Sequence, residues 1–277
     1  MDGLPRSGPS VRELDLPLPP ARMPLLRAGR PLKRWHYIGV YGAELMLCGA
    51  EVHIGPLRQQ WWAAATPDGE IRGRTSLRSA GLEVAGSGLR IRCGDTRVQV
   101  ELGEGPGREV VHPHGGRRYV WTRKRAGVPA TGFAELHGRR FAIDADAVVD
   151  ETAGYHERHT TWHWSAGVGR GTGGERVAWN LVRGVNDSPR DSERAVWVDG
   201  TDHEPAPVDF ADDLSRIAFT EGGELRFRAW AEREARTNLL LIRSSYRQPF
   251  GTFSGELPGG VELARGFGVM EWHDVHW

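Results

Sequence analysis

The chain has 277 residues, of which 39% are hydrophobic and 26% are charged, a balance typical of a folded globular protein. Basic and acidic residues both number 36, so no net charge attracts the chain to nucleic acid or to an anionic membrane. No apolar run approaches the roughly 18 residues that a membrane span needs, and the first residues lack the apolar core of a signal peptide. We therefore expect a cytoplasmic protein without a nucleic-acid partner or a membrane span.

The predicted elements are almost all strands. Residues 1–30 are rich in proline and are expected to form an extended arm. An arginine-rich connection is expected between residues 66 and 82. Short apolar runs bounded by Gly, Pro, Asn or Asp predict strands at 34–41, 44–53, 59–66, 82–85, 89–93, 97–102, 119–125, 132–136, 140–143 and 147–150. The same pattern of apolar runs and turn residues predicts strands at 160–168, 176–183, 195–198, 217–220, 225–231, 238–246, 251–257 and 266–273. The pattern allows one short helix, at 188–194, and indicates an all-β sandwich or barrel.

Two internal similarities indicate a duplication. Trp35-His36-Tyr37 matches Trp162-His163-Trp164, and each triplet opens a predicted strand. The ends of the two units also match, in the same order: 135–138 and 148–150 with 256–259 and 269–271. We therefore predict a proline-rich arm at 1–30, an N-terminal barrel at 31–152 and a C-terminal barrel at 153–277.

Residues 150–165, at the boundary of the two units, hold the densest group of titratable and aromatic side chains. On a strand, His159 and His163 share one face, and Trp162 and Trp164 share the other. If the tryptophans pack outward, the histidines face a lumen, where an imidazole can act as an acid or a base. The alternative is that each histidine is hydrogen-bonded and only stabilises the junction.

Carboxylates close both units at equivalent places, namely Asp150 with Glu151 in the first and Glu271 in the second. A carboxyl group enclosed by tryptophan and valine has a raised pKa. It can then protonate an alkene or a carbonyl, as a hydratase or a cation-initiated cyclase requires. The alternative is an ion pair with one of the many arginines.

A metal site is a further alternative. His156, His159 and His163, or two same-face histidines with a carboxylate, could bind zinc. No cysteine pairing or HExxH pattern supports this, so we predict no metal and no cofactor. Cys48 and Cys93 are expected to be free core residues in a reducing compartment.

Most of the eleven tryptophans are expected to pack in the core and rim of the β structure, and a few to line a ligand cavity. The predicted ligand-binding residues are Trp35, His36, Tyr37, Tyr155, Trp162, Trp164, Trp179, Asn180, Tyr246 and His273. The predicted catalytic residues are Asp150, Glu151, His159, His163 and Glu271.

Several segments also resemble a known family. The sequences at 34–48, 150–165, 177–182, 192–200, 248–255 and 268–274 resemble the bacterial family called domain of unknown function 2804. More distantly, the plan is similar to the two-domain lipocalin-like proteins, which include carotenoid 1,2-hydratase, kievitone hydratase, tocopherol cyclase and lipocalin-like Diels–Alder cyclases. This resemblance implies two β-barrels side by side with an apolar ligand at or between them, and no catalytic residue of those enzymes maps onto this chain.

Three functions remain open from the sequence. The first is a cofactor-independent lyase or isomerase that hydrates, dehydrates or cyclises a hydrophobic isoprenoid-like or polyketide-like molecule by acid–base catalysis. The second is a non-catalytic carrier or sensor of a lipophilic ligand. The third is a carbohydrate-active enzyme with paired carboxylates.

Overall fold

The computed structural model describes residues 3–239 and 242–277. The first half contains β1 Arg6–Ser7, β2 Leu26–Arg27, β3 Arg30–Pro31, β4 Lys33–Tyr41, β5 Met46–Ile54, β6 Leu57–Ala65, β7 Ile71–Ser76, β8 Leu82–Ala85, β9 Gly88–Cys93, β10 Thr96–Leu102, β11 Gly107–Pro113, β12 Tyr119–Leu136 and β13 Arg139–Gly154. The second half contains β14 His159–Gly171, β15 Arg176–Arg183, β16 Ala195–Val198, β17 Thr201–His203, β18 Val208–Phe210, β19 Arg216–Phe219, β20 Glu224–Leu239, β21 Ile242–Leu257 and β22 Val261–His276. Within these ranges the only helix is a 3₁₀ helix at Gly8–Glu13, which confirms the all-β prediction.

The strands form two large antiparallel sheets and one small one. The first sheet has 11 strands, with the central order β7-β6-β5-β4-β13-β12-β10-β9-β8, and β11 and β1 continue it from the first part of β12. The second sheet has nine strands in the order β17-β16-β15-β14-β22-β21-β20-β19-β18. In both sheets the first long strand lies beside the last one, β4 beside β13 and β14 beside β22. The division into two domains stays a prediction.

Alternation of side chains along the strands explains how each sheet closes on a core. In β9 and β10, Leu89, Ile91, Val98 and Val100 point inward, while arginines occupy the intervening outward positions of β9. A period of two places every second side chain on the same face of a sheet. Each sheet therefore has its own apolar core.

A third core lies between the two sheets, and we call this contact the seam. Large side chains from both sheets define it, namely Tyr37, Tyr41 and Trp61 from the first sheet and Trp164, Trp197 and Phe250 from the second. The seam joins the two sheets through apolar burial, which contributes about 25 cal/mol for each Å² removed from water.

The N-terminal arm differs from its prediction because it contains ordered elements. Pro9 lies in the first turn of the 3₁₀ helix, where its fixed φ and missing N–H are tolerated. Val11 of this helix is fully buried and packs in a cluster with Tyr119 and Tyr155. The arm thus covers one face of β11, β12 and β13.

Other differences concern strand length. The pairs of short strands predicted at 119–136 and 140–150 are two continuous strands, β12 and β13, and a bulge at Gly127 (φ 68°) lets β12 continue. The arginine-rich connection contains the edge strand β7, and β11, β17 and β18 were not predicted. Edge strands carry charged residues and therefore lack a clear apolar pattern.

No helix forms at 188–194, where the backbone instead folds around Arg194. This fully buried guanidinium donates hydrogen bonds to the carbonyl oxygens of Asp187, Ser188 and Pro205. The predicted strand at 238–246 includes residues 240 and 241, which lie outside the described residues. In the part of the chain that the structure describes, no helix has the length and apolarity to cross a bilayer.

Candidate functional site

A cavity of about 450 Å³ opens at the seam and takes its walls from both sheets. Its aromatic lining comes from β4, β6, β14 and β21, and includes Tyr37, Trp61, Trp162, Trp164 and Tyr246. The rings contact one another across the seam: the Tyr37 and Trp164 centroids are 5.5 Å apart, and the Trp61 and Tyr246 centroids are 5.9 Å apart. Binding sites for small molecules typically have this volume and this apolar character.

The strand period decides which residues line the cavity. On β22 the alternate residues Glu271, His273 and Val275 face it, and on β13 Asp150 and Thr152 do. The backbone pairings are equivalent in the two sheets, because Tyr37 lies opposite Asp150 in the first and Trp164 lies opposite Glu271 in the second. The two carboxylates therefore reach the cavity from corresponding places.

Glu271 is held by three hydrogen bonds inside this aromatic lining. Trp162 Nε1 donates to its Oε1 at 2.8 Å, and Tyr246 Oη donates to its Oε2 at 2.7 Å. Gln248 Nε2 also donates to Oε2, at 3.2 Å. These donors fix the carboxyl group in one orientation.

Burial raises the pKa of Glu271 from 4.5 to about 7, although the hydrogen bonds from Tyr246 and Trp162 oppose the shift. The negative charge of Asp150 adds to the rise, and Lys124 opposes it. No cation lies within ion-pair distance of Glu271 in the described ranges. The group can therefore both give and take a proton near neutral pH.

The raised pKa of Glu271 makes stability depend on pH. Between pH 4.5 and about 7 the folded protein holds a proton on Glu271 that the unfolded chain has released. The free energy of unfolding therefore falls as pH rises through this window, by about 1.4 kcal/mol per unit or roughly 3 kcal/mol in all. Because other groups also titrate, the measurement is the difference between wild type and Glu271→Gln in urea unfolding at pH 4 and pH 8. Wild type should lose roughly 3 kcal/mol relative to the variant, and a difference that does not change with pH would contradict the shift.

The second carboxylate, Asp150, is neutralised by a lysine. Lys124 Nζ lies 2.7 Å from Asp150 Oδ2 and 3.5 Å from Glu193 Oε1. Burial opposes the charge on Lys124, but the two carboxylates outweigh it and raise the pKa of the ammonium group. Burial raises the pKa of Glu193 against the pull of Lys124, and Asn186 Nδ2 donates to Glu193 Oε2 at 2.9 Å. Asp150 thus belongs to a compensated polar group with Lys124 and Glu193 and is not a second free acid.

The histidines of the cavity are neutral. Burial, together with the positive charge of Arg233, lowers the pKa of His273 to about 3, and its Nε2 lies 2.7 Å from Ser244 Oγ. Burial also lowers the pKa of His156 well below its ordinary value. Glu271 is therefore the lining group best matched to proton transfer near pH 7.

Eight of the predicted site residues line the cavity. They are Trp35, Tyr37, Asp150, Trp162, Trp164, Tyr246, Glu271 and His273.

Strand β14 turns its tryptophan face to the cavity, and not the histidine face that catalytic histidines would require. Trp162 and Trp164 face the cavity, whereas His159 and His163 do not line it. His163 stacks on Phe210 at 5.5 Å, and exposed His159 lies 2.8 Å from Asp274. The tryptophans pack into the seam, and the alternation of the strand then turns both histidines away.

The other predicted residues have structural contacts outside the cavity. Glu151 and His36 are paired on β13 and β4, next to Asp150 and Tyr37 but not in the lining. Tyr155 donates its hydroxyl to the carbonyl oxygen of Pro24, which fastens the N-terminal arm.

Two further predicted residues, Trp179 and Asn180, do not line the cavity but form hydrogen bonds with residues of β14. Trp179 is buried in the core of the second sheet and donates to Ser165 Oγ at 3.1 Å. Asn180 accepts a hydrogen bond from Trp164 Nε1 at 2.8 Å and donates to the backbone oxygen of Glu193 at 2.8 Å.

The three histidines considered as metal ligands are not brought together. His156 lines the cavity, while His159 and His163 have the separate contacts described above. A different group, His159 with Asp274 and His276, has potential ligand atoms within 4.8 Å of one another, where the start of β14 pairs with the end of β22. Asp274 already accepts hydrogen bonds from Thr161 and His159 there.

Several lining residues were not identified from the sequence as site residues. Among them are Trp61, Lys124 and Arg233. The sequence did hold a signal for Lys124, because only two of its basic residues are lysines. No comparable signal marked Arg233 among the many arginines.

Comparisons with known proteins agree with this fold. The family model described as "Domain of unknown function (DUF2804)" matches residues 72–277. No curated protein sequence matches the chain.

Among solved structures, kievitone hydratase from Nectria haematococca has a TM-score of 0.52 at 10% identity, over 88% of each chain. An AttH-type protein from Nitrosomonas europaea has a TM-score of 0.49 at 11% identity, over 94% of this chain and 99% of that one. CghA in complex with Sch210972 has a TM-score of 0.44 at 12% identity, over 95% of each chain. The likeness to kievitone hydratase confirms the predicted resemblance to the lipocalin-like proteins for the fold, which does not by itself determine function.

Proposed function

The chain belongs to the DUF2804 family, and from this premise we propose that it is a cofactor-independent lyase or isomerase acting on a hydrophobic small molecule. The observation that carries the proposal is Glu271, a buried carboxyl group with a pKa of about 7 in an aromatic cavity without a cationic partner in the described ranges. A group of this kind can protonate an apolar substrate near neutral pH.

The proposed reaction begins with proton transfer from Glu271 to an alkene carbon or a carbonyl oxygen of the substrate. The O–H bond of the acid breaks, and Glu271 becomes a carboxylate. The new bond to hydrogen is formed by the π electron pair of the alkene or by a lone pair of the carbonyl oxygen. Trp162, Tyr246 and Gln248 donate hydrogen bonds to that carboxylate and stabilise its charge.

The cation formed on the substrate lies among aromatic faces. The rings of Tyr37, Trp61 and Trp164 can stabilise it by cation–π interaction. Water or a hydroxyl group of the substrate then adds to the cation and returns a proton to the Glu271 carboxylate. Addition of water gives hydration, its reversal gives dehydration, and addition of an internal hydroxyl gives cyclisation.

The paired-carboxylate mechanism of a glycoside hydrolase receives less support. That mechanism needs two carboxyl groups that are free to act on the substrate. Asp150 is instead bound by the Lys124 ammonium group at 2.7 Å. The lining is mainly apolar, which suits an isoprenoid-like or polyketide-like substrate better than a sugar with its many hydroxyl groups.

Native mass spectrometry of the purified protein after exposure to a cell lipid extract tests the proposal. We expect a hydrophobic compound to be retained and then to be converted on incubation. In D₂O, a product formed by protonation at carbon should carry deuterium on carbon. A retained compound that is recovered unchanged and without deuterium would instead identify a carrier.

A further inference from the structure

One charged side chain in the cavity has no role in the proposed proton transfer. On β20 the inward-facing lining residues are Arg233, Ala235 and Thr237, so a single arginine stands among small residues. Its neighbours Glu232 and Glu234 lie on the other face and approach Arg247 at 2.5 and 3.9 Å. Arg233 is half-buried, so its charge is partly removed from water, and a partner would offset the cost of that transfer.

The partners found for Arg233 are aromatic or neutral. Its guanidinium carbon lies 4.1 Å from the centroid of the Trp61 ring and 4.9 Å from that of Tyr246. One terminal nitrogen donates to Thr75 Oγ1 at 3.0 Å. No carboxylate lies within ion-pair distance of Arg233 in residues 3–239 and 242–277. A guanidinium group has five N–H donors, so most of the hydrogen-bonding capacity of this half-buried side chain is open to water or to a ligand that displaces water.

Arg233 is also the one cation of the lining without an ion pair in the described ranges. Lys124 is bound to Asp150 and Glu193, and Arg58 lies 2.5 Å from Glu51. The positive charge of Arg233 reaches the interior, where it acts on Tyr246 and His273. A ligand that fills this cavity therefore meets one uncompensated positive charge.

We infer that the ligand of this cavity is an amphiphile with an apolar body and one carboxylate, which the guanidinium group of Arg233 binds. This inference rests on the proposed function for its site and adds the chemical class of the substrate. Arginine and carboxylate match in planar shape and form two parallel hydrogen bonds. A single guanidinium balances a single carboxylate, whereas a phosphate dianion would leave a negative charge uncompensated near Glu271.

Tyr246 relates this anchor to the proton donor. Its ring lies beneath the Arg233 guanidinium group, and its hydroxyl donates to Glu271 Oε2 at 2.7 Å. A carboxylate bound to Arg233 thus lies about one tyrosine side chain from Glu271. The reacting carbon or oxygen of the substrate is then separated from the carboxylate by a few bonds.

Two compounds with the same carbon skeleton, farnesoic acid and farnesol, test the inference. Their affinities are measured by quenching of tryptophan fluorescence at pH 6.5 and low salt, where the ligand is ionised. Since a hydrogen bond to a charged group contributes about 1.5–3 kcal/mol, wild type should bind the acid about tenfold to a hundredfold more tightly than the alcohol. Dodecanoic acid and dodecanol form a second, unbranched pair.

Arg233→Met removes the charge and keeps the apolar stem. We expect it to lose the preference for the acids while its affinity for the alcohols stays within about twofold. Arg236→Met, an exposed arginine on the same strand, should behave as wild type. Arg233→Lys keeps the charge without the planar fork and should retain part of the preference. Thermal unfolding of each variant shows that it is folded, and Arg233→Lys still tests the inference if Arg233→Met does not fold.

Equal affinities for acid and alcohol in wild type, an undiminished preference in Arg233→Met, or binding of neither acid would overturn the inference. Its failure can be separated from failure of the proposed function. An Arg233-dependent preference without conversion of any retained compound would uphold the carboxylate site and reject the enzyme. Conversion that depends on Glu271, without a preference for acids, would uphold the enzyme and reject the carboxylate site.

Discussion

Glu271→Gln should lower the rate of conversion of the retained compound by two to four orders of magnitude, the contribution expected of one general acid or base. Glutamine has nearly the same shape and keeps an oxygen that can accept the hydrogen bond from Trp162. The apolar contacts with the ligand remain, so its affinity should change by no more than about threefold. The measurement is the single-turnover rate with the compound recovered from the lipid extract.

The matched control is Glu262→Gln, an exposed glutamate on the same strand, β22. It should keep the wild-type rate. The wild-type rate of the protonation step should also fall as pH rises above about 7, because Glu271 then loses its proton. A rate for Glu271→Gln within tenfold of wild type would assign the proton transfer to another group.

Lys124→Met should reduce the free energy of unfolding by about 3–5 kcal/mol, because removal of one partner leaves buried charge without compensation. Lys124 is the shared partner of Asp150 and Glu193, and all three side chains are buried. Urea denaturation at pH 7 measures the loss. Methionine preserves the length of the apolar stem, so the lost charge rather than a cavity accounts for the effect.

Arg140→Met is the matched control, since Arg140 pairs with Glu135 at the surface and is 61% exposed. Its cost should be below about 1 kcal/mol, as for other exposed ion pairs. Asp150→Asn in the Lys124→Met background should recover part of the stability, because it removes one of the two uncompensated charges. A loss below about 1 kcal/mol for Lys124→Met would show that the polar group is solvated.

The strands were predictable where one face is buried and the other is solvated. The strict alternation of apolar residues with arginines in β9 predicts a strand with one buried face. The long strands β12 and β13 were divided in the prediction because glycine, proline and polar residues interrupt the apolar pattern. Pairing with neighbours on both sides keeps these strands continuous.

The candidate site was predictable only in part, for a reason visible in β14. Its period of two shows that Trp162 and Trp164 share a face and that His163 and Ser165 share the other. Both faces are largely buried, so local sequence does not determine which one meets the first sheet. Packing between the sheets decides this, and it brings the tryptophans to the cavity.

Glu271 and Arg233 show the same limit for charged residues. Glu271 was identified because it matches the place of Asp150 in the other unit. Arg233 lies between two glutamates, Glu232 and Glu234, and such a charged run is typical of a solvated strand. Only the position of β20 beside Trp61 of the other sheet turns this arginine inward.

Because the cavity draws its walls from both sheets, occupancy by a guest molecule is thermodynamically linked to the assembled state. A compound that binds only when the two sheets are joined raises the melting temperature by mass action. At one hundred times its dissociation constant it contributes about 2.7 kcal/mol. A thermal-shift screen of small-molecule libraries would therefore report binders directly, and it needs no knowledge of the chemistry that follows.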